Sequence, residues 1–275
     1  MAGRLTIFAG TGALVPLAID AARRGGYRFQ VLTLVPRDDL GDDVKTGRAD
    51  LENPLGIVFS LKMFRTTHIL LVGGVTLSDR VREGLARLGG GGGASSDSVG
   101  DGALSGVART LKTMTGADLI GIENLAPELL APVGHIAGPP AMAPQSDLAF
   151  AMQTAREVGR LDLGQAVATT GRRVLAVEDI AGTDALIARI GQFRRAGLTG
   201  DGEGAIILAK AAKPAQPLFV DLPAIGPVTI DNARAAGIVH IAVQAGRTLL
   251  IERGEISARA DALGISVVGV PAVDA

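Results

Sequence analysis

The side chains that could do chemistry fall in a few short stretches. The densest is LAKAAKPAQPLFVDLPAIGPVTID, residues 208–231, which delivers Lys210 and Lys213 from an apolar run and sets Asp221 between Val220 and Leu222. Lysine ammonium groups act as point charges toward phosphate. An acid among apolar neighbours must be paired, hydrogen-bonded or coordinated if it is buried. Prolines 214, 217, 223 and 227 stiffen the path, as suits either a loop built to hold a geometry or a structural turn. Thr229 reads first as a cap for the helix that follows. In VEDIAGTDALI, residues 177–187, Glu178 and Asp184 are candidate functional carboxylates, while Thr183 or Asp184 equally fits a helix N-cap. GRLDLGQA, residues 159–166, places Asp162 and Gln165 three apart in what also reads as a helix end and turn.

At the other end of the chain, AGTGAL (9–14) sits between an apolar run and a helix-forming stretch. Backbone N–H groups and the helix dipole there favour a phosphate. It is a partial dinucleotide fingerprint: the third glycine of G-x-G-x-x-G would fall at Val15, and the acid expected after the second strand could be Asp38, preceded by Arg37. A tight turn with no ligand remains the competing reading. His68, His135 and His240 show no ligand spacing, and His68 and His240 read as core histidines in apolar strands. No G-x-S-x-G elbow and no Walker lysine motif occurs.

The elements that must position these residues alternate. LTIFAG (5–10), Ala13–Arg24 and RFQVLTLV (28–35) read as strand, helix, strand, followed by a helix over Leu55–Phe64 and a strand THILLVGG (67–74). A helix is expected over Ser78–Leu88 and another over Leu104–Thr113, with a glycine-rich linker between them, then a strand in DLIGIENL. Four prolines between Pro132 and Pro144 suggest a linker over 131–145. The second half restarts with a helix over Ser146–Gly159 and strands at 172–178, 204–210, 237–246, 247–254 and 264–270, with helices near 183–194, 229–236 and 254–263. This predicts an α/β protein of two domains: residues 1–130 with a Rossmann-like parallel sheet, and residues 146–275 as a second α/β domain.

Composition agrees. At 275 residues, two modest domains fit. The absence of cysteine excludes disulfide scaffolds and thiolate zinc sites. A net charge of -1 gives no bulk attraction for nucleic acid. Hydrophobic residues make up 47% with only 3% aromatic, so aliphatic side chains supply the core, as in buried parallel strands. Mean hydropathy is high, +0.34, yet no apolar run reaches the roughly 18 residues of a spanning helix. Arg4 and the apolar run after it imitate a signal peptide but read better as strand, turn and helix. A cytoplasmic protein is expected, with homo-oligomerisation left open.

AREVGRLDLGQA, VLAVEDIAGTDALI and LAKAAKPAQ…VDLPAIGPVTI, in that order, resemble the LpxI family of UDP-2,3-diacylglucosamine pyrophosphatases of lipid A synthesis. AGTGAL resembles that family's glycine turn, and LVGGV, with Gly74, lies where its strand end is expected. The resemblance implies two domains holding a lipid nucleotide between them. It further implies Mg2+-dependent hydrolysis to UMP and 2,3-diacylglucosamine 1-phosphate, and peripheral contact with the inner membrane. Asp221 matches the family's key aspartate. An ordinary aspartate is a poor base, so it is expected to hold Mg2+ and orient water, helped by Asp184 or Glu178. The expected substrate contacts are Gly10, Thr11, Gly12, Gly74, Gln165, Thr183, Lys210, Lys213, Gln216 and Thr229.

The pattern also departs from the family. Pro217 and Phe219 stand where it carries an acid and an arginine, GDGAL (100–104) lacks a second acid, and Thr11 replaces a glycine. Phenylalanine cannot supply an arginine's bidentate phosphate contact. A paralogue that binds a nucleotide-linked lipid or sugar without turning it over is therefore the alternative. A nicotinamide oxidoreductase using AGTGAL is disfavoured by Val15.

Overall fold

The computed structural model describes residues 3–51, 53–74, 110–199, 204–214 and 222–271. The chain forms two compact units, with the boundary between Glu128 and Leu129. The helix expected over Ser78–Leu88, the glycine-rich linker and most of the helix expected over Leu104–Thr113 lie outside the described residues.

In the first unit, β1 (Arg4–Ala9), β2 (Arg28–Thr33), β3 (Thr46–Arg48), β4 (His68–Val72) and β5 (Asp118–Ile120) form one sheet. All its pairings are parallel and the order is β3-β2-β1-β4-β5. That is the Rossmann order, whose direction reverses between β1 and β4. Helix α1 (Leu14–Arg24) buries Val15, Ala18, Ile19 and Ala22, the 3.6-residue period of an amphipathic crossover. Helix α2 (Pro54–Phe64) starts where the Asn53 side chain accepts from Gly56 N and stops at Arg65, which takes a left-handed conformation. Its buried side, Ile57, Val58 and Leu61, packs with Phe8, Leu32 and Ile69. A short helix, α3 (Ile122–Leu125), follows β5, where the sequence suggested that the strand continued.

At the reversal point the turns after β1 and β4 are fastened together. Thr11 N donates to Gly74 O at 2.8 Å, and Gly74 N donates to Thr11 O at 3.0 Å. A Cβ on Gly10 would lie 2.3 Å from Gly74 O and 2.8 Å from Gly73 O, both backbone atoms that cannot swing aside. Gly10→Ala is expected to cost about 3 kcal/mol, the upper range for overpacking, read as a lower urea midpoint; an unchanged midpoint would show that the two turns separate freely.

In the second unit, β6 (Gly134–Ala137), β7 (Ala166–Thr170), β8 (Arg173–Val177), β9 (Ile206–Lys210), β11 (His240–Gln244) and β13 (Ser266–Val270) make a mixed sheet of order β6-β13-β11-β9-β7-β8. β9, β11 and β13 are parallel, and β6 and β7 join antiparallel. β10 (Ala224–Ile225) and β12 (Leu249–Leu250) pair separately. Helix α4 (Gln145–Arg160) packs Leu148, Ala151, Met152 and Ala155 with Val167, Ile207 and Ala242. Helices α5 (Gly182–Arg195), α6 (Pro227–Ala236) and α7 (Arg253–Leu263) contribute Ile187, Ile190, Ile230, Ala233, Ile256 and Ala260 to the other core cluster, with Leu208, Ile241 and Val267.

Two expectations are corrected. Residues 131–145 are no linker: β6 lies inside this span as a strand of the sheet, Ala131 and Ala137 are buried in its core, and Gly138 approaches Ile265 O too closely to carry a side chain. The strand expected over 247–254 shrinks to Leu249–Leu250, because Arg253 already begins α7. Among the described residues no helix is long and apolar enough to cross a membrane.

His240 opens β11 buried, with Nδ1 lacking a hydrogen-bond partner. Burial pushes its pKa below the ordinary 6.5. As pH falls below about 6.5 the unfolded chain takes up a proton that the folded chain refuses, so stability should decline there and recover as pH rises. His240→Leu should flatten that part of a urea-midpoint-against-pH curve; an identical slope would assign it to other groups.

Candidate active site

The second unit gathers most of the sequence-selected polar residues at one end of its sheet. Because β7 runs antiparallel to β9, Ala166 lies opposite Lys210, and β8 brings Val177 beside Val167. The end of β9, the end of β8 and the start of β7 therefore meet. This is the carboxyl end of the parallel strands, where open α/β sheets hold their ligands.

Lys210 is buried there, 8% exposed. Its Nζ donates to Thr183 Oγ1 at 3.0 Å and to Ala224 O at 3.1 Å. Thr183 in turn donates to Glu178 Oε1 at 2.5 Å, and Glu178 Oε2 accepts from Gln165 N at 2.6 Å. Lysine, hydroxyl and carboxylate thus form one chain that orients the ammonium group. Gly164 lets this happen: a Cβ there would sit 2.6 Å from Glu178 O. Next to the strand end, Lys213 Nζ pairs with Asp162 Oδ1 at 2.8 Å, and Asp162 reaches it from a left-handed conformation, φ 57°.

The helix-cap readings resolve differently from expectation. Ala181, with no side-chain bond, precedes α5, so Thr183 serves Glu178 from inside the first turn. Asp184 also lies in that turn, favourable to the helix dipole, and accepts from Asn232 Nδ2 at 3.3 Å. Thr229 accepts from Gly226 N at 3.3 Å across the start of α6, a structural role. Asp221 and Gln216, like Pro217 and Phe219, lie outside the described residues.

In the first unit Gly10, Thr11, Gly12 and Gly74 do come together, at the reversal point of the sheet. The amides of Thr11 and Gly74 are already spent on each other's carbonyls. Arg37, its side chain only 6% exposed, donates to Gly10 O at 2.5 Å and Gly12 O at 3.3 Å and grips Asp39. Those hydrogen bonds hold the Asp39 carboxyl below its usual range. Asp39, rather than the anticipated Asp38, is the acid engaged here.

Sequence reasoning passed over Gln244 and the placing of Arg37. Gln244 Oε1 accepts from Ala212 N at 2.9 Å and ties the exit of β9 to the end of β11. The signal was available: HIAVQ and IILAK are both apolar strands closed by one long polar residue.

A Rossmann-ordered unit is thus followed by a mixed α/β unit with a buried lysine, threonine and glutamate at the carboxyl end of its strands. Residues 133–268 match the family model of the LpxI C-terminal domain. The UDP-2,3-diacylglucosamine pyrophosphatase LpxI of Caulobacter vibrioides (strain ATCC 19089 / CIP 103742 / CB 15) is 40% identical over 158 residues, 56% of this chain and 56% of that protein. The chain thus spans little more than half the length of the curated relative it matches. Among solved structures, the UDP-glucose 4-epimerase of Thermus thermophilus (14% identity, 98% of this chain and 86% of that one) and a GalE-like L-threonine dehydrogenase from Cupriavidus necator (13%, 98% and 96%) each align with a TM-score of 0.32. So low a score carries no argument about either fold or chemistry.

Proposed function

We propose that this protein hydrolyses the pyrophosphate of UDP-2,3-diacylglucosamine to UMP and 2,3-diacylglucosamine 1-phosphate, a step of lipid A synthesis. The observation that carries the reading is Lys210, a buried ammonium held by Thr183 and the Ala224 carbonyl at the carboxyl end of β9. Desolvation strengthens such a charge toward an anion. Lys210 binds a phosphate oxygen and stabilises the charge that develops on it, with the fixed Glu178 and Thr183 preventing the ammonium from turning away. Lys213 is a second cation near the same strand end, and Gln165 lies beside Glu178. The acyl chains of the substrate belong to a membrane, so peripheral contact is part of the proposal.

Each Glu178 oxygen already accepts one short hydrogen bond, which leaves it fewer lone pairs for a metal and makes it the weaker of the two proposed ligands. Among the described residues no group of three or more His, Cys, Asp or Glu converges. Asp221 is the stronger candidate ligand for Mg2+, an ion that would neutralise pyrophosphate charge and is usually held by few carboxylates plus phosphate and water. Asp184 keeps a supporting role in this proposal.

The test is UMP release from UDP-2,3-diacylglucosamine with Mg2+ and again with EDTA. Release that EDTA stops supports the reading. Binding of the lipid nucleotide without release overturns hydrolysis and selects the paralogue to which Pro217 and Phe219 point.

A further inference from the structure

We infer that the outward face of α2 in the first unit docks on an anionic lipid bilayer. Leu55, Phe59 and Met63 follow one another at i, i+4 and i+8, the spacing of a single helix face, and are 71%, 67% and 69% exposed. A soluble helix normally turns such a stripe inward, and here the inward side is already supplied by Ile57, Val58 and Leu61. Phe59 and Met63 line a groove of about 520 Å³ beside β2 and β3, and that groove also holds Arg4, Arg28 and Lys45 and, among the described residues, no acid.

The cations are placed at a cost. Arg4 and Arg28 stand directly opposite each other on β1 and β2, a like-charge pair that destabilises a sheet. Arg4 is anchored on Phe64 O, which aligns it with the apolar helix. Apolar side chains rimmed by arginine and lysine are what an interfacial helix presents to acyl chains and lipid phosphates. A second copy of this chain is a poorer occupant, because a twofold contact sets each patch against itself and would face cations with cations. The inference rests on the first unit alone and holds whether or not the chain hydrolyses a lipid nucleotide.

The chain has no tryptophan, so Phe59→Trp in the full-length protein gives a single reporter at an exposed site. With phosphatidylcholine vesicles containing phosphatidylglycerol, its emission should move to the blue, and added salt should reverse the change. Pure phosphatidylcholine should leave it largely unmoved. Adding Arg28→Gln and Lys45→Gln to this variant should weaken partitioning about 30-fold, at about 1 kcal/mol for each surface cation. No shift with anionic vesicles, or emission already blue in free protein because the chain covers its own face, overturns the inference. A response to a soluble acidic polypeptide but not to vesicles overturns it too, in favour of a protein partner. Phe59→Glu should abolish vesicle binding while UMP release from detergent-dispersed substrate is unchanged. The hydrolase reading and the docking reading can thus fail separately.

Discussion

Lys210→Met is expected to lower UMP release about a thousandfold, the scale seen when a preorganised donor to a developing oxyanion is removed, while leaving the protein folded. A buried ammonium group is expensive to desolvate, and methionine removes that cost while leaving the Ala224 carbonyl without its donor, so a loss of about 1 kcal/mol is expected. Thr183 keeps its bond to Glu178 in the variant, so the neighbouring geometry survives. Asp221→Ala, assayed alongside, is expected to abolish release with the urea midpoint unchanged. If Lys210→Met turned over at the parent rate, Lys210 would be a structural lysine and the proposed phosphate contact would be wrong.

Glu178→Ala should have the opposite signature, a large loss of stability. The carboxylate accepts from Gln165 N and from Thr183, and alanine leaves both donors without their acceptor. Each buried unsatisfied group costs about 1–3 kcal/mol, so about 3 kcal/mol is expected in all. Thr183 would also lose the acceptor that orients it toward Lys210, and turnover should fall with stability. Glu178→Gln keeps an acceptor for Gln165 N and should recover most of the loss in urea denaturation. Equal costs for alanine and glutamine would mean that charge, rather than hydrogen bonding, is what this position supplies.

The alternation of apolar runs with glycine turns made much of the fold legible. Strand, glycine turn and helix at residues 5–26 are where expected, and β1, β2, β4, β9, β11 and β13 are aliphatic runs whose ends shift by only a few residues, whereas the exposed, polar β3 gave no apolar signal. Residues 134–137 were hidden because an antiparallel strand with an exposed end carries little apolar signal, and the surrounding prolines read as a linker. The two-residue β12 is fixed by its pairing with β10 rather than by its own preference.

Within the site, Lys210 and Glu178 announced themselves as polar residues at strand exits, Thr183 as a residue of a helix start and Gln165 as part of a turn. Their connectivity did not, because Lys210 meets Thr183 across 27 residues and Gln244 meets Ala212 across 32. Only the strand order creates such neighbours. Thr229 was legible as a helix-start residue, and its bond to Gly226 N requires nothing further of it.

The glycine turns of the first unit behave as a clasp with three straps. Thr11 and Gly74 close on each other, Leu34 N donates to Ala9 O at 2.9 Å, and Arg37 crosses back over the Gly10 and Gly12 carbonyls. The ends of β1, β2 and β4 are thereby sewn into one seam. Loosening any strap exposes the others, so this corner opens as a single cooperative piece with one local free energy, and the Leu34 amide proton exchanges as slowly as those of the strands it fastens.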